Sequence, residues 1–251
     1  MTASPAGPVA LVGSGEYLPV LEPLERALIA GRAPRYVQLA TAAAPEGDRV
    51  LARWHDLGRA AAERIGVEQV VVDVRTRADA QRPDLADLVA CAGLVYLSGG
   101  NPAYLADTLR GTPVWAAIVD AWRAGAALAG CSAGAMALSA SLPDVRRPWR
   151  PALEGLGVVG MVEVIPHFDR FAARMPDLVL RRVAGTPPGV RLIGVDEDTA
   201  LVGGLDGWPG EAAAPGTTWH VHGRQSAWLL DREGRTEVVA GSSVVLDRRP
   251  G

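Results

Sequence analysis

The sequence contains no lysine: all 25 residues counted as Lys+Arg are arginine. That absence excludes a Walker-type phosphate loop, a Schiff-base lysine for pyridoxal phosphate and a serine–lysine dyad. Asparagine occurs once, at Asn101. Cysteine is scarce as well, and Cys91 and Cys131 form neither a disulfide framework nor a metal-ligand spacing. Charge is nearly balanced, at −3, so nothing electrostatic favours nucleic acid or an anionic membrane as partner. Apolar runs reach only strand length, so no membrane span is expected. No basic region precedes the first apolar stretch, unlike a secretory signal. The expectation is a cytoplasmic protein.

What is present is a core. Of 251 residues, 49% are hydrophobic and 21% charged, enough for one globular α/β domain spanning residues 1–251. Short apolar runs at Pro8–Val12, Arg35–Ala40, Gln69–Val74, Leu94–Ser98 and Ala126–Ala129 predict buried strands. Between them, Leu51, Trp54, His55, Gly58, Ala62 and Ile65 recur at helical spacing, as do Leu85, Leu88 and Val89. Repeated β–α units imply a parallel sheet covered by helices on both faces. After about Leu156 the pattern changes to closely spaced strands: Val158–Ile165, Arg191–Val195, Thr199–Val202, Thr218–His222, Ala227–Leu230 and Val238–Val245. A short helix is predicted near Pro176–Val183, and Gly203–Gly216 and Arg232–Gly234 read as turns.

The segment Gly130-Cys131-Ser132-Ala133-Gly134 sets a thiol beside a hydroxyl between glycines. A nucleophile elbow has small residues two positions either side of the reactive one, where a strand turns sharply into a helix. Centred on Ser132, those positions are Gly130 and Gly134. Centred on Cys131, they are Ala129 and Ala133, a poorer fit. The register selects Ser132 and leaves Cys131 as a small buried hydrophobe.

A nucleophilic serine needs a base, an orienting acid and an oxyanion site. Four histidines are available. His55 lies on the inner stripe of a helix, and His220 and His222 alternate along a late strand. His167, in "VIPHFDRF", follows a strand end, where sites in α/β folds assemble. For the acid, Asp196, Glu197 and Asp198 cluster in "GVDEDTALV", and Asp144 is an alternative. The Ala133 N–H follows the nucleophile and is one natural oxyanion donor. A second donor is expected in Gly99-Gly100, after the strand in "YLSGGNPAYL". Asn101 beside it serves as a helix cap or as a substrate-facing amide.

Taken together, "LVGSGE", "LSGGNPAYL", "GCSAGA", "PHF", "GVDEDTALV" and "TTWHVHG" make the chain resemble peptidase family S51 over nearly its whole length. That family comprises the aspartyl dipeptidases (dipeptidase E) and the cyanophycinases. The resemblance implies a class I glutamine amidotransferase-like, flavodoxin-like three-layer α/β fold with a mostly parallel sheet and added C-terminal strands. It also implies Ser132 as nucleophile, His167 as base and Glu197 as orienting acid, with Asp144 the position matching descriptions that put the acid between serine and histidine. The oxyanion donors are then Gly100 and Ala133, the substrate is a small peptide, no metal or organic cofactor is implied, and a monomer or homodimer is expected. Cyanophycinases share the His-Phe pair, but an Asp-Gln pair precedes theirs and spaced arginines follow it. Here Ile165-Pro166 precedes His167, and Phe171 stands where one arginine is expected. "PHF" and "GGN" resemble the dipeptidase branch more closely.

An aspartyl substrate needs a cation, and without lysine that cation must be arginine. Arg146, Arg147, Arg150, Arg170 and Arg174 border the site in sequence, and Arg170, three residues from His167, is the first choice. Two rivals remain at this stage. One is an α/β-hydrolase esterase using His220 or His222, and the other is a non-catalytic binding protein on the same fold.

Overall fold

A computed structural model describes residues 6–142, 152–174, 185–204 and 216–247. The early apolar runs become strands β1 (Val9–Val12), β2 (Arg35–Leu39), β3 (Glu68–Val71), β4 (Leu94–Leu97) and β5 (Ala127–Cys131). They pair in parallel in the order β1-β5-β4-β2-β3. Every residue of β1, β4 and β5 is buried, as expected for strands covered on both faces.

The helices are α1 (Glu22–Ile29), α2 (Asp48–Ile65), α3 (Arg77–Ala80), α4 (Pro83–Asp87), α5 (Pro102–Leu109), α6 (Pro113–Arg123), α7 (Ala133–Leu138) and α8 (Phe168–Arg174), the last packing through Phe168 on later strands. Strand alternation divides the interior in two. Val9, Leu11, Leu97 and Leu128 pack with Leu105, Leu109, Val114 and Ile118 of α5 and α6 on one face. Ala10, Val12, Tyr96 and Ala129 pack with Leu24 and Leu28 of α1 and Ala61, Ala62 and Ile65 of α2 on the other. Each fully buried aliphatic side chain of Val or Leu size contributes about 1.5–3 kcal/mol. The helix expected from Leu51 to Ile65 is α2, and Gly66 in the left-handed region (φ 76°) ends it.

The later part of the chain forms β6 (Ser141–Leu142), β7 (Leu153–Glu154), β8 (Val162–Pro166), β9 (Arg191–Val195), β10 (Thr199–Gly203), β11 (Thr217–Gly223), β12 (Ser226–Leu230), β13 (Arg235–Val239) and β14 (Ser243–Leu246). Strands β10, β11 and β14 extend the central sheet antiparallel beyond β1, making it eight-stranded. A second, four-stranded sheet runs β13-β12-β9-β8, and β6 pairs with β7.

Two expectations change. The strand predicted over Val158–Ile165 starts only at Val162, and Val159 instead bridges Ser139. The run Val238–Val245 is not one strand: β13 ends at Val239 and β14 begins at Ser243. Gly241, at φ 82°, turns the chain there, so β13 stays in the second sheet while β14 joins the central one. The helix predicted at 176–183 lies outside the described residues, as does most of the 203–216 link. Among the described residues, no helix is long and apolar enough to cross a membrane.

The strand register positions the site. Val12 pairs with Cys131, and Gly130 with Leu97, so β1, β5 and β4 end together. The C-terminal ends of parallel strands are where α/β folds assemble their sites.

Candidate active site

The chain passes from β5 into α7 through Ser132, whose backbone is held at φ 50°, ψ −106°. An L-residue in such a conformation is strained by about 1–3 kcal/mol. The neighbouring glycines make the turn possible. A Cβ at Gly130 would lie 2.5 Å from the Gly134 carbonyl carbon, and one at Gly134 would lie 2.3 Å from the Leu97 oxygen. The Ser132 N–H donates to the Val12 carbonyl (2.9 Å), and the Ser132 carbonyl accepts from Met136 N–H (3.0 Å), which holds the turn from both sides.

Cys131 is fully buried beneath this turn. Its S–H donates to Glu16 Oε2 at 2.7 Å. Burial first, then the neighbouring Glu16, push its pKa well above the ordinary thiol value. A buried thiol held in its neutral form is a poor nucleophile.

His167 enters from the second sheet. Strands β8 and β9 are parallel with Pro166 opposite Val195, so the residues that follow, His167 and Asp196–Glu197, emerge side by side. His167 also has a left-handed backbone, at φ 50°. Its Nε2 lies 3.2 Å from Ser132 Oγ, and its Nδ1 lies 2.9 Å from Glu197 Oε1. The His167 side chain is 41% exposed and that of Glu197 19%, so a ligand has access to the imidazole while the carboxylate is largely covered.

The Glu197 backbone is fixed on both sides. Its N–H donates to Asp169 Oδ1 (3.0 Å), and its carbonyl accepts from Gln225 Nε2 (3.0 Å) and Thr199 Oγ1 (3.0 Å). The second carboxylate oxygen, Oε2, accepts from Arg170 Nη2 at 2.8 Å, and the Arg170 side chain is 64% exposed. Arg170 therefore sits at the edge of the site with part of its guanidinium engaged by Glu197.

The other acids of the cluster face elsewhere. Asp196 accepts from Trp228 Nε1 at 3.0 Å, and burial raises its pKa. Asp198 pairs with Arg224 at 3.2 Å. Asp144, Arg146, Arg147 and Arg150 lie outside the described residues, as does the side chain of Arg174. His55 lies on α2 and His220 and His222 on β11, across from Val202 and Ala200. Burial lowers the pKa of His55 and of His222.

The loop after β4 abuts Ser132. A Cβ at Gly99 would lie 3.6 Å from Ser132 Cβ. Gly100 adopts φ 140°, and a Cβ there would lie 2.4 Å from the Ala42 carbonyl. Asn101 N–H donates to that same carbonyl at 2.8 Å. The Asn101 side chain caps α5, accepting from Tyr104 N–H at 3.0 Å. Ala133 opens α7, so its N–H has no acceptor within the helix. Among the described residues, the Gly100 N–H has no backbone or side-chain acceptor. Among the described residues, no group of three or more His, Cys, Asp or Glu side chains is arranged to hold a metal ion.

The sequence reading assigned no role to Glu16, Asp169 or Gln225. Glu16 lay within the quoted "LVGSGE" and Asp169 within "PHFDRF". Gln225 stood in a turn and gave no signal.

The fold and site define an α/β protein with a mostly parallel central sheet and a Ser–His–Glu line of contacts at its strand ends. The family model "Peptidase family S51" matches residues 11–204, and the chain belongs to that family of hydrolases. A crystal structure of a peptidase from an acI-B1 Actinobacterium superposes with a TM-score of 0.85 at 39% identity, covering 98% of this chain and 99% of that one. A Listeria monocytogenes EGD-e protein whose structure carries the name peptidase E gives a TM-score of 0.56 at 14% identity, over 94% of this chain and 100% of that one, a likeness of fold alone. In sequence, the chain is 36% identical over 156 residues to the cyanophycinase of Trichormus variabilis, covering 58% of this chain and 51% of the relative. It is 30% identical over 212 residues to that of Synechococcus elongatus, covering 80% and 60%. The chain thus spans about half to three-fifths of the length of these curated relatives.

Proposed function

We propose that the protein is a serine peptidase that hydrolyses an amide bond of a small acidic peptide, an Asp-containing dipeptide or related isopeptide, by way of an acyl-enzyme. The observation that carries this reading is the single line of contacts from Ser132 Oγ through the His167 imidazole to Glu197, at 3.2 and 2.9 Å. In this mechanism His167 Nε2 takes the hydroxyl proton as Ser132 attacks the carbonyl carbon. Glu197 fixes the tautomer and stabilises the imidazolium. The oxyanion is received by the N–H groups of Gly100 and Ala133. The imidazolium then protonates the leaving amine, and water, activated by the same imidazole, releases the acid product and restores the serine.

The exposed Arg170 supports an acidic substrate. One guanidinium nitrogen meets Glu197, and the fork carries further donors suited to a substrate carboxylate. Asn101, beside the Gly99-Gly100 loop, is the second candidate substrate contact. The free thiols Cys91 and Cys131 suit a reducing compartment such as the cytoplasm, and we take the working unit to be a monomer or homodimer.

The cyanophycinase relatives favour a second reading, cleavage of an Asp–Arg isopeptide bond. Against the polymer itself stand Ile165-Pro166 before His167 and Phe171 after it. A hydrolysis screen of Asp-X dipeptides, β-aspartyl-arginine and short acyl esters, with Ser132→Ala as control, separates these readings. Cleavage of Asp-X by the wild type alone supports the first. Ester turnover without peptide turnover overturns both.

A further inference from the structure

Glu16 is a buried acid, 8% exposed, with no part in the chemistry just outlined. It follows β1 in a loop wedged against the start of β10, where Gly13 N–H donates to the Thr199 carbonyl at 2.9 Å. Its two oxygens reach two different parts of the site. Oε1 accepts the Gly99 N–H at 3.1 Å, and Oε2 accepts the Cys131 S–H at 2.7 Å. Gly99 precedes one proposed oxyanion donor, Gly100, and Cys131 precedes the nucleophile and, through it, the other donor, Ala133.

We infer that Glu16 is a positioning residue that ties the oxyanion loop after β4 to the nucleophile elbow after β5; this rests on the hydrolase reading above. The physical reason is peptide planarity. Fixing the Gly99 N–H fixes the Ser98–Gly99 peptide plane. With Asn101 N–H held by the Ala42 carbonyl on the far side, the plane carrying the Gly100 N–H has little freedom left. Glycine is otherwise the residue least able to hold a conformation by itself. An oxyanion site acts through donors already aimed before the reaction, so a loop of two glycines needs such an external tie. The raised Cys131 pKa agrees with this role, because only the neutral thiol can donate to the carboxylate.

The test reads the nucleophile and the tie separately. Phosphonylation of Ser132 by a fluorophosphonate probe reports the nucleophile and its oxyanion site, and the Gly99 amide proton shift in 15N-labelled protein reports the tie. Glu16→Ala should slow phosphonylation and kcat by about 10–100-fold, the scale of a small misplacement of reacting groups, with KM changed less than about 3-fold. The Gly99 amide signal should move upfield. Glu16→Gln keeps an acceptor for Gly99 and should stay within about 5-fold of wild type. It also serves if the alanine variant folds poorly. Wild-type rates in Glu16→Ala, or equal losses in the Gln and Ala variants, overturn the inference. A wild-type protein that is never labelled, but whose Gly99 signal still responds to Glu16→Ala, overturns the hydrolase reading and leaves the tie purely structural.

Discussion

His167 Nδ1 and Glu197 Oε1 stand 2.9 Å apart, although 30 residues separate them in sequence. The parallel pairing of Pro166 with Val195 brings them together. The link from β9 to β10 holds Glu197 in place while carrying the chain from one sheet to the other. The contact depends on both sheets, and perturbing either one should be felt at the imidazole.

Ser132→Ala should abolish peptide turnover and fluorophosphonate labelling while leaving the melting temperature unchanged or slightly raised. Only a hydroxyl is removed, from a strained and partly exposed turn. Cys131→Ala should keep activity within about 10-fold. A fatal cysteine change beside a mild serine change would transfer the nucleophile to Cys131.

His167→Ala should cost about 1,000-fold or more, and Glu197→Gln about 100–10,000-fold, since a neutral amide neither stabilises the imidazolium nor fixes its tautomer. His55, His220 and His222 variants should lose far less in kcat, whatever their melting temperatures. If His220 or His222 proved indispensable, the esterase alternative would stand. If Glu197→Gln were mild and Asp144→Asn severe, the acid would be Asp144.

Arg170→Ala should lower kcat/KM for acidic substrates by about 10–100-fold, the loss of roughly 1.5–3 kcal/mol of charged hydrogen bonding. Neutral substrates should suffer much less. Because Arg170 also meets Glu197 Oε2, a loss common to both substrate types would assign it to holding the carboxylate instead of the substrate.

Glu25 on α1 is 1% exposed and accepts the Tyr36 hydroxyl at 3.1 Å. Burial raises its pKa from 4.5 to about 7. The folded state then holds a proton that the unfolded chain releases between those values. Stability should fall as pH rises through about 4.5 to 7 and level off above, by roughly 3–4 kcal/mol at most. Urea unfolding at pH 5 and pH 8 should show this slope in the wild type and a smaller one in Glu25→Gln. Equal slopes would place the effect elsewhere.

The parallel half of the fold was legible because short apolar runs between helical repeats admit few arrangements. The strands of the second half were legible as strands but not as members of two sheets. Nothing in the periodicity of Thr236–Leu246 says which neighbour each end will pair with, although Gly241 inside the run was a visible sign of a break. In the candidate site, Ser132 stood out by its glycine flanks and His167 by its position after a strand, and the structure sets the two 3.2 Å apart. Glu197 could not be separated from Asp196 and Asp198 by spacing alone. Their different surroundings come from Trp228, Arg224 and His167, which lie far away in sequence. Glu16 escaped for the same reason: its partners are 83 and 115 residues distant.

The backbone at Ser132, φ 50° and ψ −106°, is a conformation that glycine adopts at much lower cost. The fold by itself therefore favours glycine at position 132, and in the mechanism proposed above the hydroxyl is what opposes it. A descendant copy relieved of catalytic duty would be free to drift toward glycine there and would gain stability by doing so. Under the proposed mechanism, serine at this position marks a copy that still uses the site, and glycine a copy retained for its shape.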